Sequence, residues 1–504
     1  AHRDVGYTAC PGRYLYPYLG GIRSGAAQYT AAAITNPSLS TAGGTAGAAS
    51  ATVRAGTLTA QSYRVSVVDC YGRTVTTAGS GRTSTRTGFS ATWNGNVHGV
   101  PARPGVYDLR VDSSSATGTA RPWSQEYTVY PPRPAAAPTG GMSSGTGGFV
   151  PVTPTRLLDT RSGASLPLGP GGRIDVPVTG RAGIPGAKNG TTAVLLSVSA
   201  VCPSRGTFTR VWPTGQSEPS TSNLNTPTRA ARTTTVVAPV GALGQVSLSG
   251  GGGVMNLVVD VLGYFSTNSA SRFGATTLRV HDSTWFSGQT RTFSLPALAG
   301  IPAGNVDAVV ATVAAVSPSR AGFVQNRLGS AYATVLNYRA GADEVNQVVL
   351  PVRNGKITLT NGGSRVRLIV REDHRKLQFR FAPGDRRHRR LCRVTRTRPA
   401  DVSAAAVGTV GSTHDVLVRG GSTGVPADAG TVLVNLTAAG GASATGVTAW
   451  PASGGRPIRV DVYSAVRDDH AGMSWVPVGK DGKITVRNSS GSHRVIVDIV
   501  GYAR

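Results

Sequence analysis

Three apolar stretches in the second half of the chain decide the fold: Ala193-Val194-Leu195-Leu196-Ser197-Val198, Ala308-Val309-Val310-Ala311-Thr312-Val313 and Thr431-Val432-Leu433-Val434-Asn435-Leu436. Each reads as an apolar strand. Each also follows a Gly-Ile-Pro or Gly-Val-Pro triplet, which begins at Gly183, Gly300 and Gly424, so successive units are offset by 117 and 124 residues. The sequence therefore predicts three β units built on one plan.

The same plan extends through each unit. Pro239-Val240, Pro351-Val352 and Pro477-Val478 are each followed by a Gly and an alternating strand, and we place the units at residues 149–267, 268–370 and 399–504. Units one and three close on Val-Asp-x-x-Gly-Tyr, at 259–264 and 497–502, but unit two lacks this ending. Unit three lacks the opening found at 155–161 in unit one. A period above a hundred residues predicts beads on a string, all of one sandwich topology.

Both missing signatures fall on the stretch Arg371–Arg398, where ten Arg and one Lys stand in 28 residues. One interpretation is a basic, polyanion-binding or disordered arm, because like charges at this density repel and resist packing. The other, which we favour, is a local reading-frame disturbance. That interpretation predicts a poorly packed coil here and a second unit without its last strand.

Composition sets the fold class. At 504 residues the chain is too long for one core, and 66 Gly, 31 Pro and only 6% aromatic residues favour short strands joined by turns. We predict a mainly β protein, with several β-sandwich domains in a row. A net charge of +27 implies attraction to polyanions. Without a reading motif or interleaved aromatic residues, that charge does not indicate nucleic acid as the partner.

Residues 33–130 read as a small β-sandwich. Tyr63, Val65 and Val67 alternate with polar residues, Trp93-Asn94-Gly95 predicts a hairpin-type turn, and Pro104-Gly105 precedes the strand 106–109. The pair of Trp-Asn-Gly and Pro-Gly-Val-Tyr resembles the Ig-like domain of flagellar hook-capping proteins. Residues 131–148, rich in Pro, Ala, Gly and Ser, have too little apolar content to pack and are predicted to be a linker.

The first segment, residues 1–30, contains the candidate metal-binding and catalytic residues. His2 and Cys10 supply an imidazole nitrogen and a thiolate, which are good zinc ligands, and they stand in His2-Arg3-Asp4-Val5-Gly6-Tyr7-Thr8-Ala9-Cys10-Pro11-Gly12. This stretch resembles the end of the catalytic domain in the zinc-dependent N-acetylmuramoyl-L-alanine amidase and peptidoglycan-recognition-protein family. The resemblance implies an α/β amidase remnant that ends in a short helix.

The same resemblance implies roles for individual residues. His2 and Cys10 would be two of three zinc ligands, and Thr8 would lie where a residue supports cleavage of the muramoyl–alanine amide bond. The family's first ligand His and its catalytic Tyr would precede residue 1, so we expect this chain alone to be inactive. The three β units resemble repeats of secreted actinobacterial hydrolases and cell-wall proteins, which implies binding to peptidoglycan or anionic wall polymers. The alternative is an extracellular, adhesion-type binding protein with a vestigial amidase segment.

Elsewhere we find no catalytic set. For Asp159 we expect an ion pair with Arg156 or Arg161, and for Asp260 and Asp498 a hydrogen bond to nearby backbone. The four cysteines, at positions 10, 70, 202 and 392, lie far apart and do not indicate a disulfide framework. No apolar run is long enough to span a membrane. The chain is expected to be secreted or associated with the cell wall, and its oligomeric state is left open.

Overall fold

The computed structural model describes residues 32–132, 147–269, 272–295, 306–377, 397–402 and 412–503, except 221, 458 and 459, with a few isolated positions before 32 and between 133 and 146. The chain divides into two compact units, residues 1–132 and 133–504. Strands dominate both units, which confirms the predicted fold class of several β-sandwiches. The predicted amidase segment, residues 1–30, falls almost entirely outside the described residues. No helix in the described parts is long and apolar enough to cross a membrane.

The first unit is a sandwich of two sheets, in the orders β1-β3-β6 and β2-β11-β9-β4-β5, with β10 on β9 and a small β7-β8 pair. Its strands are β1 (Ile34–Leu39), β2 (Gly43–Thr45), β3 (Ala51–Thr57), β4 (Gln61–Asp69), β5 (Thr74–Thr83), β6 (Gly88–Trp93), β7 (Asn96–Val97), β8 (Val100–Pro101), β9 (Gly105–Ser115), β10 (Gly118–Thr119) and β11 (Trp123–Tyr130). Buried and exposed residues alternate along β3 and β6, as one-sided burial requires. Trp93, Tyr107 and Tyr127 form the aromatic centre of the core.

The predicted Asn94-Gly95 turn is present, but it does not join a hairpin. β6 ends at Trp93 and pairs with β3, whereas β7 pairs with β8. Asn94 Oδ1 accepts a hydrogen bond from the Asn96 amide at 3.1 Å. Gly95 has φ +77°, and a Cβ there would lie 2.1 Å from the Ala49 carbonyl oxygen. Only glycine fits this corner, which turns the chain out of the sheet.

The second unit contains three repeats of eight strands. Repeat 1 consists of β12 (Gly148–Asp159), β13 (Arg173–Pro177), β14 (Thr191–Val201), β15 (Thr207–Pro213), β16 (Leu224–Thr226), β17 (Ala231–Pro239), β18 (Gln245–Gly250) and β19 (Asn256–Ser266). Repeat 2 consists of β20 (Arg272–Trp285), β21 (Thr290–Ser294), β22 (Ala308–Val316), β23 (Gly322–Leu328), β24 (Ala331–Tyr338), β25 (Glu344–Pro351), β26 (Lys356–Asn361) and β27 (Val366–Leu377). Repeat 3 consists of β28 (Thr397–Val402), β29 (Thr413–Leu417), β30 (Thr431–Ala439), β31 (Thr445–Pro451), β32 (Val462–Ser464), β33 (His470–Pro477), β34 (Lys483–Asn488) and β35 (Arg494–Ala503). Short 3-10 turns cover Ala187–Asn189, Ala242–Gly244 and Gly421–Thr423.

All three repeats have the same topology. Within each, one sheet has the order first, eighth, third and sixth strand, and the other has the order second, seventh, fourth and fifth. This is the strand order of a jelly roll. The shared topology that the sequence repeat predicts is therefore confirmed, and a buried aliphatic core fills each sandwich.

The closing strand of repeat 2 corrects the sequence analysis. β27 runs to Leu377 and pairs with both β20 and β22, so this repeat does not miss its last strand. Leu368 and Val370 are fully buried and keep the inward alternation of the strand, and this pattern suffices without the Val-Asp-x-x-Gly-Tyr signature. Arg371 stands opposite Thr312, in the register that places Asp260 opposite Ser197 in repeat 1.

The opening strand of repeat 3 is also present. β28 pairs with β35 as β12 pairs with β19, and both pairings contain a register shift. Residues 371–377 and 397–402 therefore belong to strands, and the predicted coil is wrong there. Residues 378–396 lie outside the described residues, so the reading-frame interpretation stays a prediction for that segment.

The state of two cysteines also differs from the sequence-based expectation. Cys70 and Cys202 are both disulfide-bonded, although the spacing of the four cysteines indicated no disulfide framework. Spacing along the chain did not indicate this bonding, because residues distant in sequence can be neighbours in space. Disulfides persist in oxidising compartments, so this bonding is compatible with an extracellular protein.

Candidate functional site: a charged junction between the three repeats

The three repeats are packed together around a shared core, so the predicted beads on a string are wrong. Leu195, Val310 and Leu433 occupy equivalent positions on the third strand of each repeat, and all are fully buried. Their partners on the sixth strand are Val237, Val349 and Trp475, which belong to the same cluster. Each jelly roll thus presents the outer face of one sheet to the other two.

Polar contacts also join every pair of repeats. Ser197 Oγ donates to the Thr334 carbonyl, which joins repeats 1 and 2. The Trp475 amide donates to Gln347 Oε1, which joins repeats 2 and 3. Asn435 Nδ2 donates to the Ser222 carbonyl at 2.9 Å, which joins repeats 1 and 3. The assembly is closed, because no repeat lacks a contact with either of its neighbours.

One equivalent position carries a different ionisable residue in each repeat. Arg232, Glu344 and His470 each stand at the start of the sixth strand, seven residues before the Pro of the Pro-Val signature. Each is only 2% exposed. The repeat symmetry brings the three side chains together. Because one is a guanidinium, one a carboxylate and one an imidazole, they can pair with one another.

The contacts of Arg232 define the centre of this junction. Its Nη2 lies 2.5 Å from Asp468 Oδ2 and 3.3 Å from Glu344 Oε1. Its Nη1 donates to the carbonyl oxygens of Asn225 at 2.7 Å and Asp469 at 3.3 Å. Arg232, in repeat 1, therefore bonds to carboxylates of both other repeats.

Two further residues complete the network. Arg339 bridges the same carboxylates, with Nε 3.0 Å from Glu344 Oε1 and Nη2 3.0 Å from Asp468 Oδ2. His470 Nδ1 lies 3.7 Å from Glu344 Oε2 and contacts the Tyr463 carbonyl oxygen. Two guanidinium groups thus face two carboxylates, with one imidazole beside them.

The pKa shifts follow from burial and these partners. Burial lowers the pKa of His470 and the positive charge of Arg232 lowers it further, to about 4, so the imidazole is neutral at pH 7. Burial would raise the pKa of Asp468, but Arg232 outweighs it and the pKa is lowered. Burial would lower the pKa of Arg232, but Glu344 and Asp468 outweigh it and the pKa is raised. The junction is charge-balanced at neutral pH.

A groove of about 430 Å³ opens beside the junction, between loops of repeats 1 and 3. Phe208, Asn225, Arg467 and the adjacent Asp468 and Asp469 line it. Asp468 is already bonded to Arg232, and Asp469 Oδ1 accepts the Gly440 amide at 2.9 Å. Both carboxylates are engaged, so the groove offers no pair of free acids for acid–base chemistry.

The carboxylates singled out in the sequence have structural partners. Asp159 Oδ2 lies 2.7 Å from both Arg156 Nη1 and Arg161 Nη2, which confirms the predicted internal pairing. Asp260, which is 1% exposed, pairs with Arg156 across strands, so the predicted local backbone contact is not its principal bond. Burial, which outweighs Arg156, raises the pKa of Asp260. Asp498 is buried opposite Asn435.

The predicted zinc and catalytic residues, His2, Thr8 and Cys10, lie outside the described residues. In the part of the chain that the structure describes, no group of three or more His, Cys, Asp or Glu is placed to hold a metal ion. The junction residues were missed by sequence reasoning, although a signal existed. Aligning the repeats on the Pro-Val signature would have placed Arg232, Glu344 and His470 in one column.

Comparisons with known proteins leave the family open. No protein-family model matches the chain, and no curated protein matches it. Among solved structures, the major capsid protein P2 of bacteriophage PM2 has a TM-score of 0.13 at 9% identity, covering 46% of this chain and 98% of that one. An archaeal virus protein with a triple jelly roll fold has a TM-score of 0.15 at 10% identity, covering 72% and 91%.

A Clostridium perfringens ZmpB structure, an M60 catalytic domain with two CBM51 domains, has a TM-score of 0.12 at 8% identity and covers 93% of this chain and 55% of that one. TM-scores of this size establish no relationship.

Proposed function

We propose that the three repeats form one rigid, non-catalytic module of a secreted peptidoglycan hydrolase, an N-acetylmuramoyl-L-alanine amidase, and that the module holds the enzyme at the cell wall. The observation that carries the proposal is the closed junction around Arg232, where carboxylates of repeats 2 and 3 neutralise a fully buried cation of repeat 1. Such a network fixes three domains relative to one another. It supports a scaffold or anchor rather than an active site, because its ionisable groups are bonded to each other.

The enzymatic part of the proposal rests on residues 1–12 alone. His2 and Cys10 would hold zinc, and Thr8 would support the reaction. Zinc would supply an activated water and polarise the carbonyl of the amide bond. The disulfide bonding of Cys70 and Cys202 agrees with the proposed export from the cell.

Co-sedimentation with purified walls of a Gram-positive bacterium tests the anchoring role. Residues 149–504 should sediment with walls, because one rigid body presents three similar surfaces and its weak contacts multiply, and they should stay in the supernatant when walls are left out. Binding that vanishes at a few hundred millimolar salt would indicate unspecific charge, since the Debye length falls from about 10 Å at 0.1 M to about 3 Å at 1 M.

Binding that persists in salt would indicate a shaped surface for wall glycan or polymer. Absence of binding at either ionic strength would contradict the anchoring role and leave the module as a spacer. The second candidate is an adhesion-type extracellular protein with a vestigial amidase segment. Gene sequence ahead of Ala1 separates the two candidates, because the enzyme requires a further ligand His and a Tyr.

A further inference from the structure

A groove in the first unit carries an inference beyond the repeats. It has a volume of about 860 Å³, within the size range of small-molecule sites, and it lies on the outer face of the larger sheet. The strands β5, β4 and β9 form its floor, and the residues after β10 form one wall.

Register fixes the floor as a grid of six polar side chains. On β4, Ser62 stands opposite Arg82 of β5 and Ser114 of β9. Two residues further, Arg64 stands opposite Ser80 and Asp112. All six residues line the groove. Because alternate residues of a strand share a face, Arg64 and Arg82 are diagonal neighbours on that face.

The charges of Arg64 and Arg82 are accessible to a ligand in the groove. Both are exposed, and within residues 32–132 the side chain of neither forms an ion pair or a hydrogen bond. Asp112 stands opposite Arg64, and its Oδ1 accepts hydrogen bonds from Arg110 Nη2 and Nε at 2.8 and 3.1 Å. Three arginines and one aspartate therefore leave this face with a net positive charge, which attracts an anion.

The geometry points to a polyol-phosphate polymer as the ligand of this groove. The planar guanidinium forks of Arg64 and Arg82 match phosphate oxygens bidentately, and the hydroxyls of Ser62, Ser80 and Ser114 suit a hydroxylated spacer between phosphates. Nucleic acid fits less well. The one aromatic residue lining the groove, Tyr63, is stacked on Phe89 at 3.9 Å and offers no platform for a base.

This inference does not require that residues 149–504 bind the cell wall, because the groove lies in the first unit. The two proposals have only a cell-wall ligand in common. A soluble probe keeps the two separate: failure of residues 149–504 to bind walls would leave the groove untouched. The probe is a fluorescein-labelled oligomer of glycerol phosphate, titrated with the full chain by fluorescence anisotropy at about 0.1 M salt, where long-range charge effects reach only about 10 Å.

The decisive variant is Arg64→Gln with Arg82→Gln. Its matched control is Arg54→Gln with Arg86→Gln, which removes the same charge from two exposed arginines outside the groove. We expect the first to weaken probe binding by about tenfold or more, as loss of charge-assisted hydrogen bonds does, and the control by less than about twofold. Arg64→Lys with Arg82→Lys keeps the charge but loses the forks, so it should bind between the two.

Thermal melting of each variant checks that the first unit stays folded. If both Arg→Gln double variants weaken probe binding equally, the proposed site is wrong, because binding then depends only on the net charge of the chain. Absence of probe binding to the wild-type chain would overturn it as well. A single-stranded oligonucleotide that binds more tightly, with the same loss on Arg64→Gln and Arg82→Gln, would replace the polyol-phosphate polymer by nucleic acid.

Discussion

Equivalent positions inside the three jelly rolls hold interchangeable aliphatic side chains, whereas equivalent positions at the junction do not. Leu196, Ala311 and Val434 occupy one place in the three interior cores, and each is almost completely buried. At the junction the shared place holds Arg232, Glu344 and His470. An interior needs only suitable volume and patterning, but a buried cation needs a specific partner. The three repeats therefore share one fold, but their junction residues cannot be exchanged from one repeat to another.

The largest expected effect is the loss of the central cation. Arg232→Ala leaves Glu344 and Asp468 buried with Arg339 as their remaining cation, and breaking a buried pair in this way costs about 3–5 kcal/mol. Chemical denaturation of the full chain should show this loss in the transition of the three-repeat unit. The matched control is Arg367→Ala, which removes an exposed arginine paired with Asp282 at 2.8 Å.

That control should shift the transition far less than Arg232→Ala, because an ion pair formed by an exposed arginine is screened by water and contributes little. Similar losses for the two variants would show that the buried junction is no more important for stability than a surface ion pair.

The next effect concerns His470 and pH. Its folded pKa of about 4 lies below the ordinary 6.5, so between these values the unfolded chain binds the proton and the folded chain does not. Stability should therefore fall as pH drops from 7 to about 4, by about 3 kcal/mol from this residue. Asp468 also loses its stabilising contribution as the pH falls, but because its pKa is lowered from 3.8 this loss occurs in a lower pH range than that of His470.

Urea unfolding of wild type and His470→Gln at pH 7 and pH 4.5 isolates this contribution. His281 and His493 also have lowered pKa values from burial, but they are present in both proteins and cancel in the difference. The variant should lose less stability on acidification than wild type. An equal loss in both would mean that His470 is not the group that titrates.

The interior gives a smaller expected effect. Val434→Leu places in repeat 3 the residue that repeat 1 has at the equivalent position, Leu196. Adding one methylene to a packed interior typically costs about 1–3 kcal/mol, because neighbouring side chains must shift. Denaturation midpoints should thus move less than for Arg232→Ala. A loss as large would show that each interior is as specific as the junction.

Sequence reasoning predicted the repeats well and the junction poorly, for a physical reason. Period-two alternation and Gly-Ile-Pro or Pro-Val signatures are local, so strands such as β14, β22 and β30 could be read directly. Leu195 packs against residues of the other repeats, because the outer face of its strand is apolar. From the sequence alone, this outer face could not be told from the inner face of a strand buried within one repeat. Arg232 was passed over because one arginine in a basic chain is distinctive only when the repeats are aligned on the Pro-Val signature.

The smallest expected effect lies in the turns before the sixth strands. Arg229 and Arg467 adopt φ of +56° and +55°, and repeat 2 has Gly341, with φ +67°, at the equivalent place. A left-handed conformation costs a non-glycine residue about 1 kcal/mol, partly offset by the greater chain entropy of unfolded glycine. Arg229→Gly should raise the melting temperature of the three-repeat unit slightly. Unchanged or lower melting would show that the arginine side chain compensates for its strain.

The closed junction also constrains how this chain can change over generations. In an open array each repeat touches only its neighbours, so unequal recombination can add or delete copies with little damage. Here repeat 1 bonds to repeat 3 as well as to repeat 2. Deleting one copy would expose the apolar faces of the other two. Loss of a single copy should therefore be more damaging here than in an open array, because each repeat covers apolar surface of the other two.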